Sequence, residues 1–189
     1  MRTKTSELVM TALLTSIAVI IPLIVPLKIV LPPFTATFAS HVPLILAMFI
    51  NPAAAISVAL GSALGFFFAM GPIGPVVAAR AAMHVFFVAI GSYMIKKRFN
   101  LYLVIFATMI LHSASDMLIV YLLFKLFGQT AIIGGYTMQF VQIIIGVGTS
   151  LHHLVDFAIT MVIYYPLSKI GDLLMPVSVS VWNKKSAAK

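Results

Sequence analysis

Cysteine is absent from the chain, and acidic residues number only four among 189. The first absence excludes a disulfide framework and any thiolate metal site. The second belongs to a wider poverty: charged residues of both signs make up 8% of the chain, against about 25% in soluble domains. A surface that faces water on all sides cannot be built from so few. No ATP-binding motif and no separate water-soluble catalytic region occurs, and there is no internal repeat or heptad.

What is present is apolar. Such residues make up 62% of the chain, and the mean hydropathy is +1.14. This composition belongs to a polytopic membrane protein, with room for a single domain over 1–189 of five to seven spans at roughly 20 residues each. The formal charge of +8 raises the question of nucleic acid. The basic residues, however, close apolar runs and do not form a stripe with interleaved aromatics, so they read as topology signals and no nucleic-acid partner is expected. The first apolar run exceeds a signal-peptide core of about 7–15 residues and reads as a retained helix.

Runs and punctuation give an all-α architecture of six transmembrane helices: 8–25, a short second span from Phe34 or Phe38 to Ile50, 53–70, 76–95, 101–127, and a last one within 138–170. The last run exceeds one crossing, so its first part is expected to be re-entrant or interfacial. Pro32 and Pro33 stop helix formation before the second span, "NP" at 51–52 and "GPIGP" at 71–75 mark turns, and "WNKKSAAK" reads as a solvated tail. With both termini cytoplasmic, Arg2, Lys4, Lys96, Lys97, Arg98, Lys169, Lys184, Lys185 and Lys189 lie inside, and only Lys28 and Lys125 fall near the outer face.

Against this background the polar residues within the spans carry information. Arg80 and His84 are four apart, as are His112 and Asp116; Gln142, Gly146, Thr149, His153 and Asp156 follow steps of four and three. Each set shares a helix face. At about 1.5 Å per residue, Arg80 lies roughly 8 Å below the outer end of its span and Asp116 roughly 24 Å from the inner end of its own. A charge near the bilayer centre costs about 2.5–3.5 kcal/mol on insertion scales, so these faces meet in a shared polar cavity open outward. Two readings remain open for Arg80: a ligand contact, or an ion pair with Asp116 or Asp156 that ties helices together. His41 is open between a loop or capping role and ligand contact. His152 and His153 point about 100° apart, so at most one faces the cavity centre. "HHLVD" is a fragment of a metal or haem ligand set; without thiolates or a carboxylate cluster, no metal and no cofactor is expected. On the first helix, Ala12 and Ser16 have the small-xxx-small spacing that admits another helix, inside the protein or from a partner.

The stretches "ALLTSIAVIIP", "FASHVPLILAMFINP", "ALGSALGFFFAMGPIGPVVAARAAMH" and "LHHLVDF" together resemble the substrate-binding S components of energy-coupling-factor vitamin transporters, most of all the niacin-type members. The resemblance covers nearly the whole chain. It implies a multi-pass protein of the bacterial plasma membrane that captures a vitamin from outside, docks on a transmembrane coupling subunit carried by two cytoplasmic ATPases, and topples in the lipid to release its ligand. The family's Ala-xxx-Ala docking motif reads Ala12 to Ser16 here, with serine in place of the second alanine. For a nicotinate ligand, Arg80 is expected to pair with the carboxylate. His84, His112 or His153 would bond the ring nitrogen, oriented by Asp116 or Asp156, and Tyr136, Phe66 or Phe67 would give apolar walls. Gln142 completes the expected lining. The alternatives are pyridoxine or pantothenate as the vitamin, a small haem-binding redox protein with histidines as axial ligands, and an ion-coupled secondary transporter, to which the lack of inverted repeats gives no support.

Overall fold

The computed structural model describes residues 4–128 and 136–169. In chain order they form α1 (Lys4–Ile24), a hairpin of β1 (Lys28–Leu31) and β2 (Phe34–Thr37), α2 (Val42–Met48), α3 (Pro52–Ala69), a single 3₁₀ turn (Gly71–Ile73), α4 (Gly74–Ala82), α5 (His84–Lys96), α6 (Leu101–Phe127) and α7 (Met138–Lys169). Five helical segments are long and apolar enough to cross a bilayer: α1, α3, the run Gly71–Lys96, α6 and α7. The chain is a multi-pass membrane protein. Expectations on 129–135 and on the tail lie outside the described residues.

The spans differ in regularity. The second is short, as expected, and not a membrane-spanning helix. Its first part is strand β2, paired antiparallel with β1 in the register Lys28↔Thr37 to Leu31↔Phe34 across the Pro32–Pro33 turn, and its helical part, α2, has only seven residues. At about 1.5 Å per residue that helix is roughly 10 Å long, a third of the hydrocarbon core. An irregular segment at this depth is tolerated only where protein satisfies its backbone, and every residue of α2 is buried. The fourth span is divided: the Met83 amide donates to the Arg80 carbonyl at 3.0 Å, a three-residue step that ends α4 and starts α5. The last span has no re-entrant piece; α7 is one continuous helix of 32 residues.

α1 and α3 approach closely because glycine permits it. A Cβ on Gly61 would meet the Thr15 side chain, and one on Gly65 would meet the main chain of Val19. Their first turns are joined where Asn51 Nδ2 donates to Glu7 Oε2 at 3.0 Å, while the same asparagine caps α3 by accepting from the Ala54 amide at 2.8 Å. The two helices therefore run parallel. The main apolar core surrounds α2, whose Leu44, Ile45 and Ala47 are fully buried among α1, α3, α5, α6 and α7. Phe49 stacks on Tyr164 with centroids 4.1 Å apart, and Ser92 on α5 donates to the Met48 carbonyl at 2.8 Å. The far end of the same bundle is polar.

Candidate ligand-binding site

All five histidines of the chain converge at that polar end. His41 precedes α2, His84 opens α5, His112 lies on α6, and His152 and His153 lie on α7. The His41 ring sits 4.8 Å from His84, 4.6 Å from His112 and 4.7 Å from His152, centroid to centroid. The break at Met83 contributes directly, because it buries Arg80 at the end of α4 and His84 at the start of α5.

Two buried aspartates flank the rings. Asp156 holds the turn leading into α2: its Oδ1 accepts from the Ala39 amide at 3.0 Å, and its Oδ2 accepts from the His41 amide at 2.9 Å and from His41 Nδ1 at 3.0 Å. Ala39 has φ +62°, a left-handed conformation costing roughly 1–2 kcal/mol for an L residue, and the carboxylate fixes it. Asp116 instead meets Arg80. Its Oδ2 accepts from Arg80 Nη2 at 2.6 Å, Arg80 Nε at 3.2 Å and Thr149 Oγ1 at 3.3 Å. Arg80 Nη1 donates to the Pro33 carbonyl at 2.9 Å, and its guanidinium lies 5.7 Å over the Phe34 ring. The same arginine thus ties the hairpin to the bundle.

Beneath the hairpin lies a small cavity of about 20 Å³, lined by Thr35, Thr37, Ser40, His41, Phe66, Val77, Arg80, Ala81, His84, His112, Asp116, Thr149 and His152. Strand alternation explains the two threonines: successive side chains point to opposite faces, so Thr35 and Thr37 face the cavity while Phe34 and Ala36 line an apolar groove on the other side. Three buried polar atoms among the described residues lack a hydrogen-bond partner: Thr37 Oγ1, His84 Nδ1 and Asp116 Oδ1. All three belong to residues lining this cavity. Native interiors satisfy nearly all such groups; their concentration in one cavity makes it the candidate binding site.

The expected site residues separate on this geometry. Arg80, His84, His112 and Asp116 line the cavity, as does Phe66. His153 and Asp156 are fully buried behind it: His153 bonds Thr108 at 3.1 Å and His112 at 3.2 Å. Of the adjacent pair it is His152 that lines the cavity. Gln142 donates to the Met117 carbonyl at 3.1 Å and ties α7 to α6. Tyr136 is exposed and lines a separate apolar cavity with Phe34 and Phe140, and Phe67 is exposed. The paired edge of Arg80 is engaged by Asp116; after the protein's own acceptors, one of its five N–H groups remains for a ligand. His84 and His112 meet edge to face at 4.5 Å, which leaves no slot for a haem macrocycle between them. Thr35 and Thr37 are the main residues missed, and His41, left open between a loop role and ligand contact, lines the cavity. The alternation in "FTATF" signals a strand, and read that way it would have aimed both threonines together.

Ala12 and Ser16 face away from α3, exposed on α1, while Leu14 and Ala18 are buried and Thr15 and Val19 meet the glycines. Ser16 Oγ donates to the Ala12 carbonyl at 2.9 Å, and exposed Leu8, Leu13, Ile17 and Ile20 surround the pair.

No family model and no solved structure matches the chain. A curated relative does: it is 31% identical over 192 residues to the niacin transporter NiaX of Lactococcus lactis subsp. cremoris (strain MG1363), covering 97% of this chain and 85% of the relative. That protein is a transporter and not an enzyme, and the similarity runs through every element described above. The chain belongs to the same family of vitamin-transporting S components as NiaX.

Proposed function

We propose that this chain captures nicotinate at the outer face of a bacterial plasma membrane, as the substrate-binding component of an energy-coupling-factor transporter. The observation that carries the reading is the cavity under the hairpin, where the unpartnered Thr37 hydroxyl and Arg80 offer donors to an anion beside Phe66; the niacin in the relative's name supplies the vitamin. Both termini face the cytoplasm, the whole chain acts as one membrane domain, and the chain passes the bilayer six times, the second pass being made by β2 and α2.

In this mechanism the ligand carboxylate takes the Thr37 hydroxyl and the remaining Arg80 N–H, and the arginine's charge offsets the anion. The pyridine nitrogen accepts from a ring N–H of His84. Phe66, Val77 and Ala81 pack on the ring's apolar faces. The hairpin closes the cavity from above through Thr35, Thr37 and the Pro33–Arg80 bond, so it is the gate for entry. Ala12 and Ser16 dock on the coupling subunit, whose two ATPases supply the energy, and toppling in lipid then carries the ligand inward.

Equilibrium binding of nicotinate, nicotinamide, pyridoxine and pantothenate to the purified chain alone tests the capture role. Nicotinate should saturate at one per chain, with nicotinamide at least about tenfold weaker because it lacks the carboxylate. Tight binding of pyridoxine or pantothenate instead would reassign the vitamin, and equal binding of nicotinamide would remove Arg80 from recognition. Ala12→Leu with Ser16→Leu should abolish co-purification with the coupling subunit while leaving nicotinate affinity unchanged.

A further inference from the structure

The hydrogen bonds around the histidines fix where their lone pairs point. Thr108 has one hydroxyl hydrogen, and it goes to main-chain oxygens of its own helix, Val104 at 2.7 Å and Ile105 at 3.1 Å. Its oxygen must therefore accept from His153 Nε2, 3.1 Å away. In the neutral ring His153 Nδ1 is then an acceptor, and it takes the Nδ1–H of His112 at 3.2 Å. His112 Nε2 is left as a bare lone pair. His41 reaches the same state by a shorter route: Asp156 only accepts, so His41 Nδ1 donates to it at 3.0 Å, and Nε2 carries the lone pair. His84 Nδ1 and Asp116 Oδ1 have no partner.

The cavity therefore presents an excess of acceptors: two defined imidazole lone pairs, one nitrogen of His84, and a carboxylate oxygen 3.9 Å from His84 Nε2. Nicotinate does not answer them, since an anionic pyridine carboxylate offers acceptors only. A cation does. One donor atom from each of His41, His84 and His112 lies within 4.8 Å of the others, against about 3.3 Å between neighbouring ligands in a tetrahedral site with bonds near 2.0 Å. A bound ion would have to draw the three atoms together. Two of the three rings already have the outer bond that holds a metal-ligating imidazole in its tautomer, His41 on Asp156 and His112 on His153.

We propose that His41, His84 and His112 bind a borderline divalent transition-metal ion of the Zn²⁺, Co²⁺ or Ni²⁺ type. Three imidazole nitrogens suit these ions and not Ca²⁺ or Mg²⁺. A second grouping, His41, His152 and Asp156, is less suited because Asp156 already satisfies His41 and the turn. The site stands on the acceptor geometry, whatever the vitamin. With three imidazoles in place a coordination position remains open, and a nicotinate carboxylate oxygen fills it, so the ion is an anchor for the anion.

The test uses the full chain with any polyhistidine tag removed, stripped with a chelator, and titrated with Co²⁺ and Zn²⁺ with and without nicotinate. One Co²⁺ per chain is expected, with visible absorption of nitrogen-rich low-coordinate cobalt that Zn²⁺ displaces. His112→Gln should weaken it at least tenfold, and Tyr136→Phe, in the separate apolar cavity, should leave it within about twofold; melting curves taken without metal exclude variants that fail to fold. Nicotinate affinity should rise at least tenfold with Zn²⁺. Folded wild-type protein that binds no Co²⁺, or binds it equally in the His112 variant, overturns the site. Unchanged nicotinate binding in chelator, accompanied by proton uptake, overturns it too and assigns a proton to the imidazoles. Failure of nicotinate to bind under any condition, with Co²⁺ bound as expected, would sink the vitamin and leave the metal site standing.

Discussion

Asp116 and Asp156 both follow a histidine by four residues on a long helix, and both are buried beside the same imidazole cluster, yet their surroundings divide labour. Asp156 has both oxygens filled by donors of one turn, the Ala39 and His41 amides and the His41 ring. Asp116 concentrates its three donors on Oδ2 and leaves Oδ1 empty toward the cavity. One carboxylate completes the scaffold; the other holds binding capacity in reserve. A buried group with unmade bonds lowers stability and is kept where a ligand makes them.

The largest expected effect comes from Asp156→Asn. The amide nitrogen would face a donor it cannot accept from, and the left-handed turn at Ala39 would lose its anchor. A loss of about 3 kcal/mol or more, seen as a collapse of the melting temperature in detergent, is expected. Asp116→Asn keeps an oxygen for Arg80 and turns its new N–H₂ toward the cavity, so its melting temperature should fall by less than half as much. Equal losses would erase the distinction between the two sites. Next is Arg80→Lys, which keeps charge but not the fork that spans Asp116 and Pro33; nicotinate affinity in equilibrium titration should drop about tenfold or more. The smallest effect belongs to Ala39→Gly. Relief of the left-handed conformation, offset by glycine's larger unfolded-state entropy, should move stability by under about 1 kcal/mol and leave binding unchanged; a binding defect there would mean that the turn does more than hold His41.

Much of this was legible in the sequence because lipid is an unforgiving solvent. A histidine or aspartate inside an apolar run has few places to go, so the faces of Arg80 with His84 and of His112 with Asp116 could be read from spacing alone. The second pass was not legible in the same way. A helix shorter than a span is stable here only because α2 is buried on every side, and that burial is tertiary. Tyr136 lines a different cavity for a related reason: it lies just before α7, beyond the Phe34 side of the hairpin. His153 and His152 exchanged roles because one residue of helix rotation, about 100°, decides which ring meets the cavity.

The most direct test of the central claim is the nicotinate affinity of Thr37→Val, measured alongside its melting curve. Thr37 is fully buried with an unpartnered hydroxyl facing the cavity, and valine keeps its shape. If that bond is reserved for the ligand, affinity falls about five- to tenfold while the unliganded protein melts at the same temperature or higher. Unchanged affinity, or a variant that is both less stable and equally good at binding, would contradict the assignment of this cavity to the vitamin.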